Sequence, residues 1–170
     1  MEQKVTSHIV KGLIIAAVLI VVNIIGQLTG AIYNENYRWI GTVIYVASII
    51  ISAVYFSNQN NRNVNFGMLF THSFKTATVI TTILFIYTLL SVYFIFPQQI
   101  THFIQEGIVE AKKQGKSAAE IQEAIVMARK VLIISFLAGG LMINLITGAL
   151  GAILGAGIAK KNPNFQPTQK

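Results

Sequence analysis

The sequence contains no cysteine and no aspartate, and charged residues make up only 11% of its 170 positions. Without cysteine, the chain can form no disulfide, no thiolate metal site and no cysteine nucleophile. Soluble domains carry about 25% charged residues, whereas 54% of this chain is hydrophobic. The scarcity of charge therefore indicates a chain that folds in lipid rather than in water.

The charged residues that are present give a net charge of +7. They stand singly or in pairs beside apolar runs, without the clustered basic face that nucleic-acid binding normally requires. This placement is typical of the residues that set the orientation of a membrane protein. We expect the chain to lie in a lipid bilayer and to bind no nucleic acid.

Four stretches without charge are long enough to cross a bilayer, which takes about 20 apolar residues. The second is short, but Trp39 and Tyr55 suit the aromatic belt at a membrane interface. The first exceeds the core of a signal peptide and contains Asn23 and Gln27, so we expect a retained helix. The predicted spans are 12–32, 39–56, 77–96 and 131–159.

An even number of spans places both termini on one side of the membrane. Seven Lys and Arg residues lie in the N-terminus, the 57–76 segment and the tail, against six in the 33–38 and 97–130 loops. Orientation follows the positive charges, which favour the cytoplasm. We predict both termini in the cytoplasm, with a disordered tail over 160–170.

The 97–130 segment has the pattern of two helices. Apolar residues recur at helical spacing up to Ala111, and Gly115 is a natural helix stop. Ser117 and Glu120 form the S-x-x-E pattern of a capping box, which starts a second helix. The sequence predicts an extramembrane helical hairpin whose second arm leads into span four.

Residues 57–76 begin with an Asn-rich polar run and then become apolar and aromatic. Because phenylalanines recur at every fourth position, they share one face of a helix. The mixture of aromatic and basic residues is typical of a short helix lying in the membrane interface. The predicted interfacial residues are Phe66, Phe70, His72, Phe74 and Lys75.

The predicted spans contain no ionisable side chain, although such residues usually mark ion and proton pathways in membranes. The histidines His8, His72 and His102 are far apart in sequence and indicate no metal site. The glutamates of the hairpin are interspersed with lysines, which is typical of a solvated helix face. We predict no catalytic residue, no cofactor and no metal.

Small and polar residues inside the spans remain to be explained. Small residues let membrane helices approach closely, and amides or hydroxyls then form hydrogen bonds between them. We interpret them as packing contacts, and a polar substrate path along the helices is the other interpretation. Asn23 and Asn144 fall near the centres of spans one and four, which we predict to be neighbours. The helix-packing candidates are Asn23, Gly26, Gln27, Gly30, Asn144, Gly148, Gly151 and Gly155.

Two short stretches resemble signatures of a known family. Residues 65–76, NFGMLFTHSFKT, resemble F-G-x-x-F-x-H-G/S-F-K at the entry to the third span, and residues 115–124, GKSAAEIQEA, resemble G-x-S-x-x-E-I-x-x-A before the last span. In a four-span chain they are similar to the bacterial domain-of-unknown-function family forty-one ninety-nine. The resemblance implies an inner-membrane protein without an assigned activity, and it carries over no catalytic residues.

The sequence thus predicts an all-α integral membrane protein, a single domain over 1–170 built as a four-helix bundle with a helical hairpin. We expect a non-enzymatic accessory or assembly subunit in the bacterial inner membrane. The alternative is a small oligomeric transporter or channel for an unknown solute. The expected contacts are lipid and either a membrane-protein partner or further copies of the chain.

Overall fold

A computed structural model describes residues 5–162 and residue 165, except the side chains of Glu35, Arg38, Glu123 and Val126. Every regular element in this part of the chain is helical. The α-helices are α1 (His8–Thr29), α2 (Glu35–Gln59), α3 (Phe66–Leu90), α4 (Gln98–Lys113), α5 (Ala118–Ile134) and α6 (Gly140–Ile158). A short 3-10 helix covers Ala31–Tyr33, and π-helical turns cover Ser91–Ile95 and Ser135–Gly139. The predicted all-α class is confirmed.

Four helical stretches are long and apolar enough to span a membrane: His8–Thr29, Trp39–Gln59, Phe66–Ile95 and Ala118–Ile158. The first begins earlier than predicted because Ser7 caps α1 by accepting from the Val10 amide at 3.3 Å, and it ends at Thr29 because Gly30 adopts φ 72°. The last is longer than predicted because α5, a π-helical turn and α6 follow one another without a break.

The third helix also differs from its prediction. The sequence suggests a separate interfacial helix before span three, but α3 runs continuously from Phe66 to Leu90. The Asn65 side chain starts it by accepting from the Met68 amide at 2.9 Å. No proline or left-handed residue follows within the helix, so nothing separates the aromatic turns from the rest of α3.

The structure divides into two compact units, Met1–Leu84 with Ile143–Lys170 (unit 1) and Phe85–Met142 (unit 2), where the sequence predicts one domain. In unit 1, all four membrane-length helices contribute to one core. Its fully buried members are Ala16 of α1, Ile49 of α2, Ile80 of α3 and Ala152 of α6. Small residues on α1 and α6 thus leave room for isoleucines from α2 and α3.

Three glycines of α6 pack against α2. A Cβ at Gly155 would lie 2.9 Å from the Ala53 Cβ, and one at Gly151 would lie 3.4 Å from Ile49. A Cβ at Gly148 would lie 2.6 Å from the Tyr45 hydroxyl. Side chains of α2 therefore fill the space above these three glycines, and the predicted contact between spans one and four stays a prediction.

The glycines of α1 also have neighbours other than α6. A Cβ at Gly26 would lie 2.4 Å from the Tyr37 ring, whose hydroxyl donates to the Val22 carbonyl at 2.7 Å. A Cβ at Gly12 would lie 2.6 Å from Val79 of α3. Gly30 has no neighbour within 4 Å and serves the turn after α1 instead.

Unit 2 holds the helical hairpin. Ser117 and Glu120 form a complete capping box at the start of α5, and Gly115 adopts φ 76° between the two helices. The rings of Phe103 and Phe136 lie 5.2 Å apart, which packs the two arms together. The predicted pair of helices with a break near Gly115 is confirmed.

Candidate functional site

A buried lysine lies at the end of unit 1 where α1 and α3 begin. Lys11 is 8% exposed, and its ammonium Nζ lies 3.1 Å from Nε2 of His72 and 3.5 Å from the Ser52 carbonyl oxygen. It also lies 4.9 Å from the centre of the Tyr55 ring. A buried charge is costly unless it is paired and hydrogen-bonded. Here the Ser52 carbonyl, the His72 imidazole and the Tyr55 ring contact the ammonium in place of water.

This contact also determines how His72 is protonated. An ammonium has donors only, so with Lys11 charged a neutral His72 accepts at Nε2 and has its ring hydrogen on Nδ1. The imidazole stacks on Phe56, with ring centres 3.9 Å apart and planes 15° apart. The ring of His8 meets it edge-on at 6.1 Å. His72 is therefore held in one orientation with Nδ1–H as its remaining donor.

An open cleft of about 510 Å³ lies beside this cluster. It combines imidazoles and an ammonium with amide, hydroxyl and apolar groups, and none of the lining residues that the structure describes has a carboxylate. The lining residues are His8, Phe56, Asn65, Gly67, Met68, Thr71, His72 and Lys75.

Hydrogen bonds between three segments close the same end of unit 1. The side chain of Gln59 donates to Thr6 Oγ1 at 3.0 Å and accepts from the Thr6 amide at 3.1 Å. The Asn162 amide donates to the Arg62 carbonyl at 2.8 Å. Ser57 donates to the carbonyl of Lys160. The start of α1, the α2–α3 loop and the residues after α6 are therefore tied together.

We call this part of the molecule the basic end and define it as residues 5–11, 56–75 and 157–162. Its ionisable side chains are all basic: His8, Lys11, Arg62, His72, Lys75, Lys160 and Lys161. Lys160 to Asn162 belong to the tail predicted to be disordered, but they are hydrogen-bonded to the rest of the basic end. Residues 163–164 and 166–170 of that prediction lie outside the described residues.

The predicted interfacial residues fall on the first turns of α3. Phe66, Phe70 and Phe74 form a stack with centres 6.4 and 5.7 Å apart. His72 lies on the other side of the same turns, where it is 8% exposed. Lys75 is exposed and lines the cleft.

The sequence analysis missed the pairing of Lys11 with His72. It placed Lys11 just outside the first span and His72 before the third, whereas both lie within the membrane-length helices. Both lie in the first two turns of their helices, so the prediction that ionisable side chains lie outside the spans or at their edges stays a prediction. The sequence does show that both residues lie beside long apolar runs. Their contact joins residues 61 positions apart, so it is visible only in the folded structure.

The other predicted packing residues are placed as follows. Asn144 accepts at its main-chain oxygen from the Tyr45 hydroxyl at 3.0 Å. The carbonyl of Gln27 accepts from the Gly30 amide at 3.3 Å.

Among the residues that the structure describes, no group of three or more His, Cys, Asp or Glu side chains could hold a metal ion. In the hairpin, His102 Nδ1 lies 3.6 Å from the Glu106 carboxylate, a one-turn pairing that the sequence analysis overlooked.

Comparison with protein families identifies a family to which the chain is similar. The model of a family described as a protein of unknown function (DUF4199) matches residues 11–161. Comparison with curated proteins and with solved structures gives no match. The matched region contains Lys11, His72 and most of the basic end.

Proposed function

The chain belongs to the DUF4199 family of proteins of unknown function, and we propose that it is a non-enzymatic accessory or assembly subunit of the cell envelope. The observation that carries this proposal is the filled centre of unit 1. Ala16, Ile49, Ile80 and Ala152 are each 0% exposed and come from all four membrane-length helices. A solute path through one chain would need a polar, water-accessible interior at this depth.

The proposed contact surface is the helical hairpin. Apolar side chains of α4 and α5 face outward, with Val109 53%, Met127 71% and Val131 59% exposed. The glycines Gly148, Gly151 and Gly155 are covered by α2 or α3 within the chain. These predicted helix-packing glycines thus make their contacts within the chain, which leaves the hairpin as the surface for a membrane-protein partner.

The proposed location is the bacterial inner membrane with both termini in the cytoplasm. The basic end supports this orientation because positive charges are retained in the cytoplasm. Fusions of a fluorescent protein and of alkaline phosphatase to each terminus test it. Fluorescence without phosphatase activity at both termini is expected, and active phosphatase at either terminus would contradict the orientation.

Crosslinking in cells tests the accessory role. A photo-reactive residue at Met127 is expected to give one crosslinked product with a different membrane protein, in amounts close to stoichiometric. The matched control is the same residue at Leu28, which is 74% exposed on α1 outside the hairpin. Equal product at both positions, or products containing only copies of the chain, would overturn the proposal.

A second candidate, a small oligomeric transporter or channel, is favoured by the Lys11–His72 pair inside the membrane-length helices. Ionisable residues in that position commonly belong to ion or substrate pathways. Reconstitution in liposomes separates the two functions. If the protein is an accessory subunit, we expect no solute to cross the liposome membrane. If it is a transporter, we expect solute to cross, and we expect Lys11→Met to abolish this transport.

A further inference from the structure

The cleft at the basic end contains the groups that bind phosphate. Its basic side chains include His8 from α1 and Lys75 from α3. Asn65 and Thr71 add neutral polar groups on the same cleft. A cleft of about 510 Å³ falls within the usual size of ligand sites, about 300–1,000 Å³. With no carboxylate in the lining, an anion entering the cleft meets no like charge there.

Lys11 does not line the cleft but contacts His72, which does. When Lys11 is charged, its ammonium donates to Nε2 of His72 at 3.1 Å, and a neutral imidazole then has its hydrogen at Nδ1. His72 therefore presents a donor to its surroundings rather than a second acceptor. The stack on Phe56 at 3.9 Å holds the ring in place.

The position of the cleft indicates where the phosphate comes from. It lies between the first turns of α1 and α3, which are ends of membrane-length helices. Lipid headgroups lie at the ends of such helices, and anionic headgroups attract basic residues there. Met68 and Phe56 give the cleft an apolar wall of the kind that an acyl chain or glycerol backbone would contact.

We propose that this cleft binds a phosphate group of an anionic phospholipid through His8, His72 and Lys75. This site is independent of the accessory role, since a lipid can occupy it whether or not the hairpin has a partner. A soluble phosphate compound offers the same chemistry, so the experiment compares both sources.

Native mass spectrometry of the full chain released from nanodiscs tests the proposal. The nanodiscs contain phosphatidylcholine and phosphatidylglycerol in equal amounts, and the measured quantity is the ratio of the two lipids retained. We expect the protein to retain phosphatidylglycerol preferentially. One lysine near an anionic headgroup changes affinity by about fivefold. Because the double variant His8→Gln with Lys75→Gln also removes the His8 imidazole from the cleft, we expect it to reduce the preference by at least about tenfold.

Lys160→Gln is the matched control, because Lys160 is an exposed lysine of the basic end that does not line the cleft. It is expected to reduce the preference by at most about fivefold, the general effect of one surface lysine, since no cleft contact is lost. A loss as large as that of the double variant would overturn the proposal, because general surface charge would then explain the binding. Retention of both lipids in equal amounts by the unmodified protein would also overturn it.

A second pair of variants covers the case in which the double variant fails to fold. Thr71→Glu places a carboxylate at an exposed position of the cleft, and Asn58→Glu adds the same charge at an exposed position outside it. Loss of lipid preference only in Thr71→Glu supports the site, and equal loss in both contradicts it.

Inorganic phosphate is added to the protein in nanodiscs that contain only phosphatidylcholine, and the broadening of its ³¹P line is measured. This measurement distinguishes soluble phosphate from phospholipid as the ligand of the cleft. Broadening that His8→Gln with Lys75→Gln removes would support the cleft as a phosphate site but assign it to soluble phosphate. Absence of broadening, together with the phosphatidylglycerol preference, supports the lipid. Absence of both effects rules the site out.

Discussion

The hydroxyl of Tyr45 lies 3.0 Å from the main-chain oxygen of Asn144, and it thereby links α2 to α6. The same hydroxyl lies 3.2 Å from Thr81 Oγ1 of α3. Tyr45 is 3% exposed, and Gly148 provides the space that its hydroxyl occupies. One side chain thus joins three of the four helices of unit 1.

Tyr45→Phe tests the contribution of these hydrogen bonds to stability. Interhelical hydrogen bonds in membrane proteins contribute about 0.6 kcal/mol on average and up to about 1.7. We expect a loss of about 1 kcal/mol in the free energy of unfolding, measured by denaturation in mixed micelles. The control is Tyr93→Phe, which removes the hydroxyl from a ring that is 52% exposed. An equal loss in the control would show that the α2–α6 link contributes nothing.

Gly155→Ala tests the contact between α6 and α2. The added Cβ would lie 2.9 Å from Ala53 and 3.1 Å from the Ile50 Cα, so the helices must separate. Overpacking of this kind costs about 1–3 kcal/mol. Gly157→Ala is the control, because nothing lies within 4 Å of its Cβ position and alanine favours helix by up to about 1 kcal/mol. The prediction fails if both variants unfold at the same temperature.

A double-mutant cycle measures the coupling between Lys11 and His72. Hydrogen bonds to charged groups contribute about 1.5–3 kcal/mol. We expect the effects of Lys11→Met and His72→Phe on the free energy of unfolding to be non-additive by a comparable amount. The measurement is denaturation of both single variants and the double variant. Additivity within about 0.5 kcal/mol would show that the two residues act independently.

Ser117→Ala tests the capping box that starts α5. Ser117 Oγ accepts from the Glu120 amide at 3.4 Å, and the Glu120 carboxylate accepts from the Ser117 amide at 2.8 Å. Loss of the cap is expected to speed hydrogen exchange in the first turn of α5 by roughly fivefold. The control, Ser135→Ala, lies at the other end of the same helix. Unchanged exchange near Ser117 would contradict the prediction.

The predictions made from the sequence succeeded where the signal is local. A capping box at Ser117 and a left-handed glycine at Gly115 depend only on neighbours along the chain, and both are present. The start of span three was predicted less accurately, because the predicted span was made to begin after the last charged residue, Lys75. A lysine and a histidine can lie within a membrane-length helix when protein atoms surround them, as His72 does in α3.

The candidate site could not be derived from the sequence in the same way. His8, His72 and Lys75 could each be identified as basic residues near a membrane surface. Their common cleft depends on the relative rotation of α1 and α3, which sets whether Lys11 faces lipid or His72. Hydropathy sums apolar character along one helix and contains no information about that rotation.

By itself, the sequence determined that the chain is helical and has four apolar stretches of membrane length, because backbone groups in lipid must be hydrogen-bonded within each helix. Only the tertiary structure decided which helices pair. Lipid is as apolar as the helices, so helix contacts depend on shape and on specific hydrogen bonds rather than on hydrophobicity. Gly155 therefore meets Ala53 of α2 rather than α1, and Lys11 meets His72.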